Sequence, residues 1–127
     1  MNLADLGRRA VACKHWRWMP GMLLLPHVDG CECCEDRNFP RRAARIPAVF
    51  TTDIDVPDLS DPATLGCLLH LVREAWKDPD LTADRVLRGP EERDIWQVYV
   101  FHESGVKDVL SGHSEIEALV AALGAAP

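Results

Sequence analysis

The sequence predicts an α+β fold in which an antiparallel sheet of about four strands has its helices packed on one face. Helix starts are indicated at Asp61 and at Ser114, where a capping residue precedes an apolar stripe. Residues 95–101 alternate with the period of a strand. The turns between predicted strands are short enough for hairpins, which favours antiparallel pairing.

The chain has 127 residues, a length typical of one domain, so residues 1–127 are expected to form a single α+β domain. Hydrophobic residues make up 47% and charged residues 27%, which is typical of globular proteins. No apolar run approaches the roughly 18 to 20 residues that span a bilayer, and the run at residues 22–25 has only four. Because the start also lacks the pattern of a secretory signal, we expect a cytoplasmic protein without membrane contact.

The first predicted element is an amphipathic helix over residues 3–15. The apolar residues of this helix recur at three- and four-residue steps, and they are Leu3, Leu6, Ala10 and Cys13. Pro20 and Gly21 end this region, and residues 22–25 are predicted to form a short buried strand.

Residues 27–45 are predicted to be an irregular excursion, because they hold three cysteines and four arginines without a clean period. Residues 46–52 are rich in β-branched and aromatic side chains and are predicted to pair with residues 22–25. Residues 53–60 are expected to be a polar link.

A central helix is predicted over residues 62–76, with Asp61 as its cap and Pro62 in its first turn. Its apolar stripe comprises Leu65, Leu68, Leu69, Val72 and Trp76. Residues 81–87 are predicted to form a short helix that ends before Gly89.

A hairpin and a last helix complete the predicted order. Within residues 95–101, Trp96, Val98 and Val100 are expected on one face and Gln97 and Tyr99 on the other. A turn then leads to a partner strand over residues 106–110.

The last helix is predicted to begin at a capping box formed by Ser114 and Glu117. Gly124 is expected to close it in the left-handed conformation. The predicted buried face comprises Ile116, Leu119, Val120 and Leu123.

The five cysteines are an odd number and include an adjacent pair, which favours reduced thiols or a metal site over a disulfide framework. Cys31 and Cys34 form a C-x-x-C pair, and Cys13, His15 and His27 lie upstream, so up to four of these five side chains could hold a structural zinc ion.

The alternative is that Cys13 and Cys67 are small buried residues and that the cysteines of the excursion have no ligand role. We favour this alternative and expect no cofactor, because a second properly spaced ligand pair is missing. A redox role for the C-x-x-C pair is disfavoured, because the sequence does not show the strand that should precede such a pair or the helix that should follow it.

The basic cluster of Arg37, Arg41, Arg42 and Arg45 could bind phosphates or carboxylates of a partner, and the last three are the candidate partner-binding residues. Acidic residues beside it offer a simpler explanation, a self-paired surface, and the net charge of −6 disfavours nucleic-acid binding. Trp16, Trp18 and Trp76 could form an exposed recognition surface, although tryptophans are more often core residues. Trp16 and Trp18 are expected to point to opposite faces of an extended segment, which makes Trp18 a candidate partner-binding residue.

No catalytic pattern is evident, since G-x-S-x-G, P-loop and H-E-x-x-H motifs are all missing from the sequence. The aspartates between residues 53 and 61 could be imagined around a divalent cation, but capping and turn formation explain them more simply.

Three segments, ACKHWRWMPGM at 12–22, PDLSDPATLGCLL at 57–69 and residues 115–122, resemble small proteins of bacteriophages and prophages that have no assigned activity. Together they cover under half of the chain. The resemblance implies a phage or prophage origin rather than a mechanism.

These observations predict a non-enzymatic phage or prophage accessory protein of the bacterial cytoplasm that binds a protein partner, for example a host-defence factor. The alternative is a zinc-stapled domain that presents Arg41, Arg42 and Arg45 to nucleic acid or phosphate. A third interpretation is an unrecognised small hydrolase, which would need a pocket that joins a histidine to an acid or a cysteine.

Overall fold

The computed structural model describes residues 2–25 and 55–127. These stretches contain three helices and one antiparallel sheet of three strands, which confirms the predicted α+β class. The elements are α1 (Leu3–Ala12), α2 (Pro62–Trp76), β1 (Ala83–Val86), β2 (Ile95–Phe101), β3 (Lys107–Gly112) and α3 (Glu115–Ala125). The predicted excursion at 27–45 and the predicted strand at 46–52 lie outside the described residues. No described helix is long and apolar enough to cross a membrane.

The central strand of the sheet is β2, with β1 and β3 on either side of it. Tyr99 lies opposite Val109 of β3, and Val98 lies opposite both Ala83 and Leu110. The predicted alternation is confirmed, because Val98 and Val100 are fully buried whereas Tyr99 and Phe101 are exposed. The predicted partner strand is also present, displaced by one or two residues from 106–110.

The prediction of a helix over residues 81–87 was wrong, because this segment contains β1. Ala83 and Val86 are half-buried while Asp84 and Arg85 between them are exposed. Four residues with so little apolar content carry only a weak local preference, and pairing with β2 overrides it.

Residues 22–25 are extended as predicted, but they pair with residues 56–58. Leu25 N–H donates to Val56 O, and Asp58 N–H donates to Leu23 O, both over 2.8 Å. Leu24 and Pro57 form the antiparallel bridge between them. The presumed polar link therefore supplies a pairing partner, while any pairing with residues 46–52 lies outside the described part of the chain.

The predicted N-terminal caps of α2 and α3 are confirmed. Asp61 Oδ2 accepts from Thr64 N over 3.0 Å, and Ser114 Oγ accepts from Glu117 N over 3.1 Å. The Glu117 carboxylate accepts from His113 N over 2.7 Å, one residue earlier than a capping box requires.

The predicted helix ends differ at two places. The first helix stops at Ala12 rather than at residue 15, because Cys13 adopts extended dihedral angles. The last helix continues through Gly124 to Ala125 and is capped by Ala126, so the left-handed closure at Gly124 was wrong. Ala126 is 7% exposed and belongs to the core, so its burial favours this continuation.

The middle layer of the described fold is α3. It contacts all three strands of the sheet and also contacts α1 and α2. Leu119, Val120 and Leu123 from α3 are buried in one cluster with Leu68, Val72 and Trp76 from α2. The strand residues that face α3, among them Val98 and Val100, complete this cluster.

Candidate functional site

An open groove of about 440 Å³ lies where the end of α2 meets the β2–β3 hairpin. We call it the α2-end groove. It is assembled from four separate parts of the chain, and its lining residues are His15, Arg17, Leu71, Glu74, Ala75, Trp76, Lys77, Phe101, His102, Glu103 and Pro127.

The apolar lining of the groove is fixed by Trp76. This side chain is 7% exposed, and its Nε1 donates to the carbonyl oxygen of Ala122 over 2.8 Å. Its ring meets the His102 ring edge to face, with centroids 5.1 Å apart. Leu71 is also buried, so this part of the groove has little freedom to rearrange.

The rim of the groove carries two ion pairs. Arg17 lies 2.6 Å from the Glu74 carboxylate, and Lys77 lies 3.4 Å from the Glu103 carboxylate. The hydrogen bond from Arg17 is the main reason that the pKa of Glu74 is lowered, and the same bond raises the pKa of Arg17. His70 adds a further contact to Glu74 at 3.3 Å. The four rim charges therefore balance one another.

Two histidines face the groove, but they do not form a catalytic pair. His15 Nε2 lies 2.7 Å from the backbone oxygen of Pro127. His102 Nε2 lies 3.8 Å from Asp108 Oδ2, which is beyond hydrogen-bond distance. None of the described lining residues is a serine, threonine or cysteine. The described lining therefore lacks the usual nucleophile of a covalent hydrolase, whereas histidines and carboxylates do line the groove together.

The structure describes two of the predicted zinc ligands. Cys13 Sγ donates to Arg9 O over 3.2 Å, and burial raises the pKa of this thiol although the charge of Arg9 opposes the rise. His15 is directed to Pro127. No group of three or more potential ligands suited to a metal occurs within residues 2–25 and 55–127. His27, Cys31 and Cys34 lie outside those ranges, so the zinc site stays a prediction.

The prediction that Trp16 and Trp18 point to opposite faces was wrong. Their rings meet edge to face with centroids 5.4 Å apart. In an extended segment, residues two apart share a face, so the two side chains were assigned incorrectly. Both are half-buried and pack against the core, and Trp18 does not line the groove. Arg41, Arg42 and Arg45 lie outside the described residues.

The interpretation of Asp58 and Asp61 as turn and capping residues is confirmed. Asp61 caps α2, and Asp58 Oδ1 accepts from the N–H of Ser60 over 3.1 Å. Both carboxylates thus satisfy local donors at a helix start and a turn.

A second exposed surface, which we call the open sheet face, lies on the side of the sheet opposite α3. Tyr99, Phe101 and Val109 are 37%, 57% and 41% exposed there. Lys107 Nζ lies 4.3 Å from the centroid of the Tyr99 ring, and Tyr99 Oη donates to Gln97 Oε1 over 2.8 Å. Phe101 lies at the end of this face and also borders the α2-end groove.

Comparisons with protein-family models, with curated proteins and with solved structures find no match to this chain. The geometry of these two surfaces is therefore the basis for a functional proposal. Sequence reasoning missed the α2-end groove because its parts come from distant segments. The sequence offered two signals, Trp76 as a candidate recognition residue and the outward position of Phe101 in the alternation of β2.

Proposed function

We propose that this protein is a non-enzymatic accessory protein of phage or prophage origin that binds another protein through the α2-end groove in the bacterial cytoplasm. The observation that carries the proposal is the combination of a rigid apolar lining with a charge-balanced rim. An apolar centre inside a polar rim is the usual anatomy of a protein interface. The phage origin rests on the sequence resemblance alone.

The chemistry of the groove indicates which kind of chemical group it binds. Trp76 and Phe101 supply aromatic surface, and Arg17 is held in place by Glu74, so the lining is rich in the residue types that dominate binding energy. Because the rim charges cancel, the bound group is an apolar side chain rather than an ion. The partner segment is therefore expected to insert one bulky apolar side chain.

The overall charge indicates the class of partner. A net charge of −6 attracts basic proteins over long distances and speeds their association. Basic host proteins include those that handle nucleic acids, so inhibition of a host-defence factor is one form of the proposal.

A site-specific photo-crosslinker tests the groove directly. It is placed at Lys77, on the rim, and in a control at Ala63, which is exposed at the opposite end of α2. The two positions are about 20 Å apart along the helix axis. Irradiation in bacterial cells is expected to give an adduct with a different protein from position 77 and none from position 63.

A pair of arginine substitutions provides the matched control. Ala75→Arg fills the groove and is expected to abolish the adduct from position 77, whereas Ala63→Arg leaves it unchanged. Thermal unfolding verifies that both variants are folded. Equal adducts from both positions, or an adduct that survives Ala75→Arg in a folded protein, would contradict the proposal.

A further inference from the structure

Within the described part of the chain, β3 has an outer strand edge, because β2 is its only neighbour in the sheet. His102 N–H donates to Val106 O across the hairpin, and from there the backbone groups of β3 point alternately towards β2 and away from it. Three exposed residues direct their backbone N–H and C=O groups outwards, and these are Lys107, Val109 and Ser111. Such a row is a template on which another strand can pair.

One of these outward groups is already occupied. Val109 N–H donates to Asp108 Oδ1 over 2.8 Å, so the carboxylate of the preceding residue lies at the strand edge. Asp108 is opposite Val100, which is buried on the α3 side of the sheet, yet the Asp108 side chain is 60% exposed. Its carboxylate takes the position from which the C=O of an added strand would accept the Val109 N–H.

The stability of the fold does not explain the bond between Asp108 and Val109. An exposed amide can donate to water instead, so an internal acceptor adds little free energy. Aspartate is also depleted in strands. A charged side chain on an edge strand is, by contrast, a recurring protection against pairing with other chains.

We infer that Asp108 blocks strand addition at the outer edge of β3, and that two copies of the chain pair there when this side chain is removed. An antiparallel pair with a two-fold axis at Val109 places Val109 opposite its own copy. The same axis places Lys107 opposite Ser111 of the other copy, so each outward N–H meets an outward C=O.

Asp108 opposes this pairing in two ways. Both central bonds need the Val109 N–H that the carboxylate occupies. The pairing also brings the two Asp108 side chains to diagonal positions about 7 to 8 Å apart, where their like charges repel.

The other edge of the described sheet has a different protection. It is formed by β1, which has only four residues, and very short edge strands are poor templates for pairing. A blocking carboxylate is therefore needed on β3 and not on β1. This device goes beyond the proposed function, because neither Asp108 nor Val109 lines the α2-end groove.

Asp108→Val tests the inference, because it removes the acceptor and the charge and favours a strand. Sedimentation velocity at about 100 μM is expected to show a dimer for this variant, with association at least about tenfold stronger than for the natural sequence. The Val109 amide is expected to exchange its hydrogen more slowly in the dimer, since it gains a backbone acceptor. Asp108→Ala gives the same comparison with less added apolar surface.

A proline at the strand edge shows whether the dimer uses the outward backbone groups. Asp108→Val/Ser111→Pro is expected to sediment as the natural sequence does, because proline removes one outward N–H and leaves the pairing with β2 intact. Asp84→Val is the matched control, since it makes the same substitution at an exposed position of β1. It is expected to leave the sedimentation of the natural sequence unchanged. Thermal unfolding verifies that each variant is folded.

Three results would overturn the inference. The first is that folded Asp108→Val and Asp108→Ala both keep the association state of the natural sequence. The second is a dimer of Asp108→Val that survives Ser111→Pro. The third is association of the natural sequence that Ser111→Pro abolishes, because the edge of β3 would then already be open. None of these results bears on the adduct from position 77, so the two proposals fail separately.

Discussion

Trp76 donates a hydrogen bond from Nε1 to the carbonyl oxygen of Ala122 over 2.8 Å, and this bond joins α2 to α3 inside the core. The Nε1 of Trp16 is also buried, yet none of the described residues accepts from it. The two indoles thus differ in one respect that matters for stability. A buried donor that is satisfied stabilises the fold, whereas a buried donor without an acceptor costs free energy.

The first prediction compares Trp76→Phe with Trp16→Phe. Trp76→Phe removes a satisfied donor and leaves a small cavity, so we expect the free energy of unfolding to fall by about 2 to 4 kcal/mol. Trp16→Phe removes a donor that lacks a described acceptor, and we expect a loss of about 1 kcal/mol or less. Urea unfolding followed by circular dichroism measures both changes. Equal losses would show that the hydrogen bond to Ala122 contributes nothing.

The second prediction concerns two glycines inside helices. A Cβ on Gly7 would lie 2.4 Å from Val56 Cγ1 and 3.0 Å from the Pro57 oxygen, whereas a Cβ on Gly66 would meet no atom within 4 Å. Gly7→Ala forces α1 away from residues 56–58 and is expected to destabilise by about 1 to 3 kcal/mol. Gly66→Ala is expected to stabilise by about 0.5 to 1 kcal/mol, because alanine favours the helix.

Thermal unfolding of the two alanine variants tests this pair. The opposite signs are the important result, since both substitutions change the same atoms in the same kind of element. A stabilised Gly7→Ala variant would mean that α1 does not pack on residues 56–58 as described.

The elements that the sequence predicted well are those with local determinants. Asp61 and Ser114 cap their helices through contacts three residues away, so these helix starts can be read from neighbouring residues. The alternation in β2 is likewise a property of consecutive residues. Burial of its inward side chains follows from that alternation once any sheet forms.

The elements that were missed depend on distant partners. Residues 83–86 become a strand because Val98, Gln97, Trp96 and Ile95 lie beside them, and nothing within the segment specifies that. The pairing of residues 22–25 with residues 56–58 spans more than thirty residues, so local patterns did not reveal it. The α2-end groove is harder still, because it exists only where four segments meet.

The third prediction concerns two carboxylates with lowered pKa values. The pKa of Glu74 is lowered chiefly by the hydrogen bond that Arg17 donates to it. The pKa of Asp94 is lowered chiefly by the hydrogen bond that Arg85 donates to it. In each case the folded-state pKa lies below the unfolded-state pKa. The stabilisation is therefore complete above the unfolded-state value and is lost as the pH falls through the folded-state value.

Carbon-detected NMR titration of the carboxyl groups measures both midpoints. Arg17→Gln is expected to raise the midpoint of Glu74 towards its ordinary value and to leave Asp94 unchanged. Arg85→Gln is expected to do the reverse, so each variant is the control for the other. Movement of both midpoints in one variant would indicate a global change rather than the loss of one ion pair.

The last prediction concerns the cysteines and zinc. Cys13 Sγ donates to Arg9 O, and burial raises the pKa of this thiol, so zinc would have to displace both this hydrogen bond and the thiol proton. His15 Nε2 is engaged with Pro127. We therefore expect native mass spectrometry of the protein, purified without chelator, to show a metal-free chain.

One zinc ion per chain would contradict this expectation. If that zinc were lost in Cys31→Ser/Cys34→Ser and kept in Cys67→Ser, the C-x-x-C pair would be the site. Cys67 is a suitable control because it is not among the predicted zinc ligands, and its sulfur lies 4.0 Å from the Pro20 oxygen. Zinc binding would favour the alternative function, in which Arg41, Arg42 and Arg45 contact nucleic acid. Salt-dependent binding to DNA would then distinguish this function from protein binding.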